Sequence, residues 1–323
     1  MTIILDAVLE PVLALADPAK RVYIPFLLIS LLIGTLASLW FRSRDFFPPL
    51  IGEAKERSLS KKVWLGKSAQ GDYKLLFANA VIRALLITPL LATPVSLAVL
   101  TAALLESSFG VPTSLSTSRT TVALLYTGCL FVLGDLSRYV LHRLVHTVPR
   151  LWEIHKVHHS ATTMTPFTLY RQHPIELFLS DIRRLLVIGT VTGCFLYFFR
   201  HNLNSYDILG VNALGFVFNL LGANLRHSHA WLSYGITLEK LFISPAQHQI
   251  HHGKMETHYS SNYGSCLAIW DRIGGTLLGA SGVENLEFGL DDETDGHNSL
   301  VGALVTPLIG MTLGRTLKRY DKD

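Results

Sequence analysis

Charged side chains are scarce in this 323-residue chain: Asp, Glu, Lys and Arg together make up 16%, against roughly 25% in an ordinary soluble domain. That shortage excludes a disordered segment, which needs high charge and low hydrophobicity. A nucleic-acid-binding face and an ordinary soluble enzyme fit it no better. The net charge of +4 calls for no anionic partner. Cysteine is scarce too: Cys129, Cys194 and Cys266 are odd in number and widely spaced, so no disulfide framework is expected. Familiar catalytic signatures are missing. There is no Gly-x-Ser-x-Gly elbow and no His-Glu-x-x-His pair, and Gly66-Lys67-Ser68 has Lys61 where a phosphate-binding loop needs its first glycine. Neither an internal repeat nor a low-complexity tract is present.

What fills the chain is apolar. Hydrophobic residues reach 49% and arrive in long uncharged runs, which points to a single polytopic membrane domain. Tyr23 to Phe41 is uncharged for 19 residues between Lys20/Arg21 and Arg42/Arg44, long enough to cross a hydrocarbon core of roughly 30 Å. The stretch before it, Met1 to Ala16, carries Asp6 and Glu10 and lacks the basic start and cleavage site of a signal peptide. An interfacial helix suits it better. From Arg42 to Lys74 eight Lys and Arg residues and Pro48-Pro49 suggest a basic loop held on the cytoplasmic side, which puts the amino terminus outside.

Ala84 to Leu105 forms a second span, kinked at Pro89 and Pro94. Thr120 to Leu141 forms a third, interrupted by Asp135 and Arg138 near its far end. Leu185 to Phe199 and Ile208 to Leu225 make a hairpin around Arg200-His201-Asn202, its first arm completed if Arg183 and Arg184 snorkel. The expected fold is therefore all-α: about five spans with a cytoplasmic helical cap. By this count the segments His142–His173, His227–His229 and His248–His258 all end on one face, in the bacterial inner membrane or the endoplasmic reticulum.

Fourteen histidines are the unusual figure. His142 and His146, spaced i and i+4, share a helix face and offer two imidazoles to one metal. His155, His158 and His159 follow at i, i+3 and i+4, and the same spacing returns at His248, His251 and His252. One such triplet could serve pH sensing or packing. Two on one membrane face are hard to explain that way, and eight imidazoles exceed the four to six positions around one ion, so a dinuclear site is the economical reading. His227 and His229 form a fourth cluster, though a spacing of two turns their side chains apart.

Two runs carry a resemblance. Asp135-Leu-Ser-Arg-Tyr139-Val-Leu-His142-Arg-Leu-Val-His146, continued by Leu151-Trp152-Glu-Ile-His155-Lys-Val-His158-His159-Ser160, is similar to the fatty acid hydroxylase and sterol desaturase superfamily. So is Ser244-Pro245-Ala-Gln-His248-Gln-Ile-His251-His252, followed by Asn262-Tyr263-Gly264 and Trp270-Asp271. The resemblance implies a catalytic region over 120–280, between an N-terminal part (1–119) and a tail (281–323). It further implies two iron ions held by the histidine boxes, with O2 as co-substrate, for hydroxylation or desaturation of a membrane lipid or sterol. The carry-over falls on His142, His146, His155, His158, His159, His248, His251 and His252. His227 matches the histidine that the family places before its last box, and His229 is the second candidate there. His173, within Arg171-Gln-His-Pro174, matches a recurrent element and is expected beside the ligands or in the pocket.

Asp135, an ionisable group inside an apolar helix, is expected to accept the far N–H of a ligating histidine and fix its tautomer. Glu176 and Glu239 are weaker candidates for the same task. His258 and His201 read as ordinary polar contacts, and His297 as part of an acidic surface stretch. No electron-donor module is visible, so a separate ferredoxin, cytochrome or reductase is expected to deliver electrons. A zinc-dependent membrane hydrolase and a non-catalytic metal-binding protein are the competing readings, the latter opposed by ligands gathered at helix ends rather than along spans.

Overall fold

The computed structural model describes residues 2–42, 60–112, 117–199, 205–208, 211–281, 286–290 and 296–313. Its helices are α1 (Thr2–Leu13), α2 (Ile24–Arg42), α3 (Lys61–Leu65), α4 (Lys67–Ile82), α5 (Pro94–Phe109), α6 (Arg119–Thr147), α7 (Pro149–His159), α8 (Pro174–Phe199), α9 (Ala213–Leu220), α10 (Gly235–Leu238), α11 (Pro245–His251), α12 (Glu256–Tyr259), α13 (Ile269–Gly274) and α14 (Leu300–Leu313). The only paired strands among the described residues are β1 (Asp207–Ile208) and β2 (Val211–Asn212), an antiparallel pair of two residues each. The all-α expectation holds.

Three stretches are long and apolar enough to cross a membrane: Lys67–Phe109, Arg119–Thr147 and Pro174–Phe199, while Ile24–Ala37 and Leu300–Thr312 are shorter apolar helices. At about 1.5 Å per residue, α6 and α8 exceed a bilayer core, and their surplus carries side chains beyond it. Helix α6 starts where the Ser118 hydroxyl accepts the Thr121 N–H, a normal N-cap. Helix α5 lies against α8 because Gly189 and Gly193 have no side chains: a Cβ on Gly189 would stand 2.7 Å from the Leu97 side chain, and one on Gly193 would strike Thr101 and the Ala98 carbonyl. Tyr126 Oη and Thr192 Oγ1, 2.8 Å apart, tie α6 to the same helix.

Four expectations are corrected. The 84–105 segment lies within the Lys67–Phe109 stretch but is interrupted rather than merely kinked: Pro89 and Pro94 have no N–H to continue the ladder. A π turn (Arg83–Ile87) and a 3-10 turn (Thr88–Leu90) end the first helix, and Thr93 caps a new one. The Ile208–Leu225 arm is no span. Asn212 caps the eight-residue α9, and Gly222, at φ +88°, turns the chain into a 3-10 segment, Ala223–His227. The basic loop is helical from Lys61 onward, and its earlier part, 43–59, lies outside the described residues. Finally, the Asn224 amide donates to the Arg21 carbonyl at 2.7 Å. The start of α2 thus sits at the level of His227 rather than on the opposite face.

The cap that carries the histidines has a polar interior built around Arg171, which is wholly buried. Its guanidinium donates to the Val157 carbonyl (3.0 Å), Ser160 Oγ (2.8 Å), the Ser68 carbonyl (3.1 Å), Asp72 Oδ1 (3.2 Å), the His297 carbonyl (3.2 Å) and Asn298 Oδ1 (3.0 Å). One side chain therefore holds α4, the end of α7 and the 296–298 turn together. His297, expected at the surface, is buried beneath this turn. Leu75, Val157 and Ala303 form a small apolar core beside it.

Candidate metal centre

Four segments bring imidazoles to one place: the end of α6 (His142, His146), α7 (His155, His158, His159), the 3-10 turn before Ser228 (His227), and α11 with its cap (His248, His251, His252). Pro149 starts α7 and Ser160 closes it. At α11 a capping box fixes the first turn: Ser244 Oγ accepts the Gln247 N–H at 3.2 Å, and Gln247 Oε1 accepts the Ser244 N–H at 2.9 Å.

The nine rings form two groups. In the first, His142, His146, His155, His159 and His251 present ligand atoms within 4.8 Å of one another; in the second, His158, His227, His248 and His252 do the same. Each triplet is divided between them. The i and i+4 members of the first triplet join one group and His158 the other, whereas in the second triplet the i and i+4 members join His158 and His251 crosses over. About 100° per residue separates adjacent side chains on a helix, so neighbouring histidines cannot aim at a single point. The groups adjoin, with the His159 and His252 rings stacked at a centroid separation of 4.6 Å.

Hydrogen bonds on the far side of three rings fix their tautomers. The Tyr263 carbonyl is 2.7 Å from His142 Nδ1, the Ser261 carbonyl is 2.7 Å from His251 Nδ1, and Glu176 Oε1 is 2.9 Å from His155 Nδ1. A carbonyl only accepts, so Nδ1 of His142 and of His251 carries its proton and Nε2 turns a lone pair inward; Glu176, whose carboxyl burial pushes up to about 7, does the same for His155 in its ionised form. His142 Nε2 and His251 Nε2 then face each other at 3.1 Å, which is repulsive for two lone pairs and favourable when a cation lies between them. His227 Nε2 stands 3.2 Å from both His252 Nε2 and His248 Nε2. Both nitrogens of His146, Nε2 of His155 and His159, and Nδ1 of His158 and His248 are buried without a hydrogen-bond partner. Burial drives the pKa of His155 and His158 down to about 3, so both are neutral donors at ordinary pH. An all-imidazole donor set with inward lone pairs fits a pair of transition-metal ions.

His229 joins neither group. The 3-10 turn that carries His227 ends at Ser228, which is extended (φ −152°, ψ 176°), and His229 lies beyond it. His173 is not a pocket residue: its Nε2 donates to the Leu304 carbonyl (3.1 Å) and its Nδ1 accepts the Ile175 N–H (3.2 Å), so it caps α8 and ties down α14. Asp135 touches no histidine. Its carboxylate accepts the Cys266 N–H (3.0 Å), the Leu267 N–H (2.9 Å) and Trp270 Nε1–H (3.0 Å). Three donors from the 266–270 segment saturate it, and the role expected of it belongs to Glu176. Glu239 likewise serves Ser233, Ser244 and Ala280. His201 lies outside the described residues.

Sequence reasoning missed the turn at Ser261–Tyr263. Asn262 is the one non-glycine with positive φ among the described residues, at +54°, a conformation asparagine tolerates better than most residues. The bend aims the two flanking carbonyls at histidines of different elements. Asp271 secures the turn by accepting the Tyr263 N–H (2.8 Å) and the Gly264 N–H (2.7 Å). An Asn-x-Gly run with an aspartate seven residues beyond the glycine was the available signal.

A model of the fatty acid hydroxylase family matches residues 127–276, which hold all nine grouped histidines. Human alkylglycerol monooxygenase is 29% identical over 143 residues, covering 44% of this chain and 28% of its own length. Ornithine lipid hydroxylase OlsE of Rhizobium tropici is 29% identical over 149 residues (45% and 40%). The Delta(7)-sterol 5(6)-desaturase of Eremothecium gossypii is 28% identical over 142 residues (44% and 34%). The chain thus spans well under half the length of these relatives. No solved structure matches it. The matched region, just under half of the chain, is thus similar to the fatty acid hydroxylase family and to lipid hydroxylases and sterol desaturases over the stretch that carries the grouped histidines.

Proposed function

We propose that this protein is a membrane-bound di-iron oxygenase that hydroxylates or desaturates an unactivated C–H bond of a membrane lipid or sterol. The observation that carries the reading is the pair of adjoining, buried, all-imidazole groups. An iron pair bound there would supply the activation of O2: in hydroxylation one oxygen atom would enter the product and the other leave as water, and in desaturation both would leave as water. Electrons come from a separate donor such as a ferredoxin, a cytochrome or a reductase. His142, His146, His155, His159 and His251 would hold one ion; His158, His227, His248 and His252 would hold the other.

The chain's own groups prepare that chemistry. Tyr263 and Ser261 carbonyls and the Glu176 carboxylate keep protons on the outer nitrogens and lone pairs on the inner ones. Neutral ligands leave the full cationic charge on the ions, which suits attack on a strong C–H bond. Burial of the rings keeps bulk water away. On α6, exposed Leu133, Val140 and Leu144 face outward near the histidine end, giving a lipid an apolar approach from the bilayer. The relatives named above act on an alkylglycerol, an ornithine lipid and a sterol, which supports a lipid substrate on the same site.

The test is metal analysis of the purified chain combined with lipid extraction from cells grown under isotopic O2. The expected result is iron in a ratio near two per chain and a lipid that gains the label or a double bond, both lost in His158→Ala and His251→Ala. Turnover without oxygen, or zinc as the metal that supports activity, would refute the reading in favour of a hydrolase.

A further inference from the structure

Beside the four-histidine group lie two arginines that the proposed chemistry does not use. Arg226, immediately before His227, is only 2% exposed, and Arg21 precedes α2. Both guanidiniums pack on one ring: Arg226 Cζ is 4.8 Å from the Phe218 centroid and Arg21 Cζ is 5.5 Å from it. The hydrogen bond from Asn224 to the Arg21 carbonyl fixes the two segments against each other.

Neither has an ion-pair partner, although the Asp135 carboxylate is near enough to favour the charge on Arg226. Arg226 Nη2 donates to the Ile243 carbonyl at 2.8 Å, and among the described residues no carboxylate pairs with either guanidinium. The fold treats its other buried arginine differently: Arg171 has Asp72 and five further oxygen acceptors. Arg226, out of water with one carbonyl acceptor, is costly to bury, with Arg21 half-buried beside it, and an incoming anion relieves the cost. Arg138, half exposed, lies nearby but is paired with the Asp135 carboxylate at 3.8 Å. Tyr170 and Tyr234 interact with Arg21 and Arg226 respectively. Burial raises the pKa of both phenols, so they stay protonated and able to donate.

We propose that Arg21 and Arg226, braced on Phe218, form a subsite for the phosphate-bearing head group of an amphiphile. Guanidinium forks suit phosphate oxygens bidentately. The amphiphile, rather than a free anion, follows from the flanks: α2 exposes Leu28, Leu31 and Leu32, and α9 exposes Leu214 and Val217, which leaves an apolar path for a tail beside the charged pair. The subsite names the substrate class for the oxygenase reading and rests on it.

Calorimetric titration of the full-length, iron-loaded protein in uncharged detergent micelles tests this. Three probes are compared: dihexanoyl phosphatidic acid, dihexanoylglycerol and inorganic phosphate. The phosphatidic acid is expected to bind at least roughly tenfold more tightly than either of the others, the worth of one charge-assisted hydrogen bond, and to weaken as sodium chloride rises. Arg21→Gln should lose about that factor and Arg21→Lys should keep part of it, while iron content stays at the wild-type level. Equal binding of the two lipids, phosphate ion binding as tightly as the phosphatidic acid, or salt-independent wild-type binding would overturn the proposal, and none of the three needs a variant to fold. Iron content and O2 consumption measured on the same wild-type sample separate the two ideas. Head-group binding without iron or oxygen uptake would sink the oxygenase and spare the subsite.

Discussion

Glu176 offers the most direct probe of how the rings are held. Its Oε1 lies 2.9 Å from His155 Nδ1, with both side chains below a tenth exposed, and the other rings of that group whose tautomers are fixed lean on backbone carbonyls that substitution leaves in place. Glu176→Ala removes the acceptor and leaves a buried N–H unpaired, at a cost of about 1–3 kcal/mol. His155 is then free to turn or change tautomer. Loss of such a supporting contact typically weakens metal binding by roughly ten- to a hundredfold, which converts to about 1.4–2.7 kcal/mol. Because the only histidine that Glu176 hydrogen-bonds to, among the described residues, is in the five-histidine group, the effect should fall mainly on that group. Iron released to a competing chelator should come off in two phases, the first much weakened and the second unchanged. Glu176→Gln keeps a carbonyl acceptor without the charge and should fall between the two. Wild-type iron affinity in both phases for Glu176→Ala would refute the assignment, and so would equal weakening of both.

Acidity should destabilise the metal-free protein. Burial holds His155 and His158 at about 3, against 6.5 in the unfolded chain. Between those values the unfolded state binds protons that the folded state does not, so stability is intact above about pH 6.5 and falls with pH below it, by up to about 1.4 kcal/mol per pH unit for each ring. Unfolding midpoints at pH 7.5 and 5.5 measure this. Asn262→Gly should keep the turn that aims the Ser261 and Tyr263 carbonyls, while Asn262→Val, β-branched at φ +54°, should cost about 1–2 kcal/mol more and release iron sooner in the chelator assay. Gly193→Val forces a side chain into Thr101 and the Ala98 carbonyl. It should lower stability by about 1–3 kcal/mol, read as an earlier thermal midpoint, with iron content maintained below it.

The spacing of the histidines announced the centre because a helix repeats every 3.6 residues: His142 with His146, and the two triplets, had to present their rings as clusters. The apolar runs announced the long helices for an equally local reason. Where the reading went astray, the deciding force was not local. The 208–225 run is apolar enough for a span, yet Asn212 and Gly222 break it into a short helix and a turn. Asp135 looked like a histidine's partner from its place in an apolar helix, but the 266–270 segment reaches it across 131 or more positions and takes its lone pairs.

Composition and periodicity alone established a helical membrane protein with imidazole boxes, since both follow from solvent and helix geometry. Only the tertiary structure decided which ring belongs to which group. It divided each triplet between two positions, left His229 outside, gave His173 to a helix cap, and enlisted the carbonyls on either side of Asn262. Those outcomes depend on the directions in which four separate segments approach one another. Such directions are set by long-range packing and buried polar bonds, to which neighbouring residues in the chain carry no reliable guide.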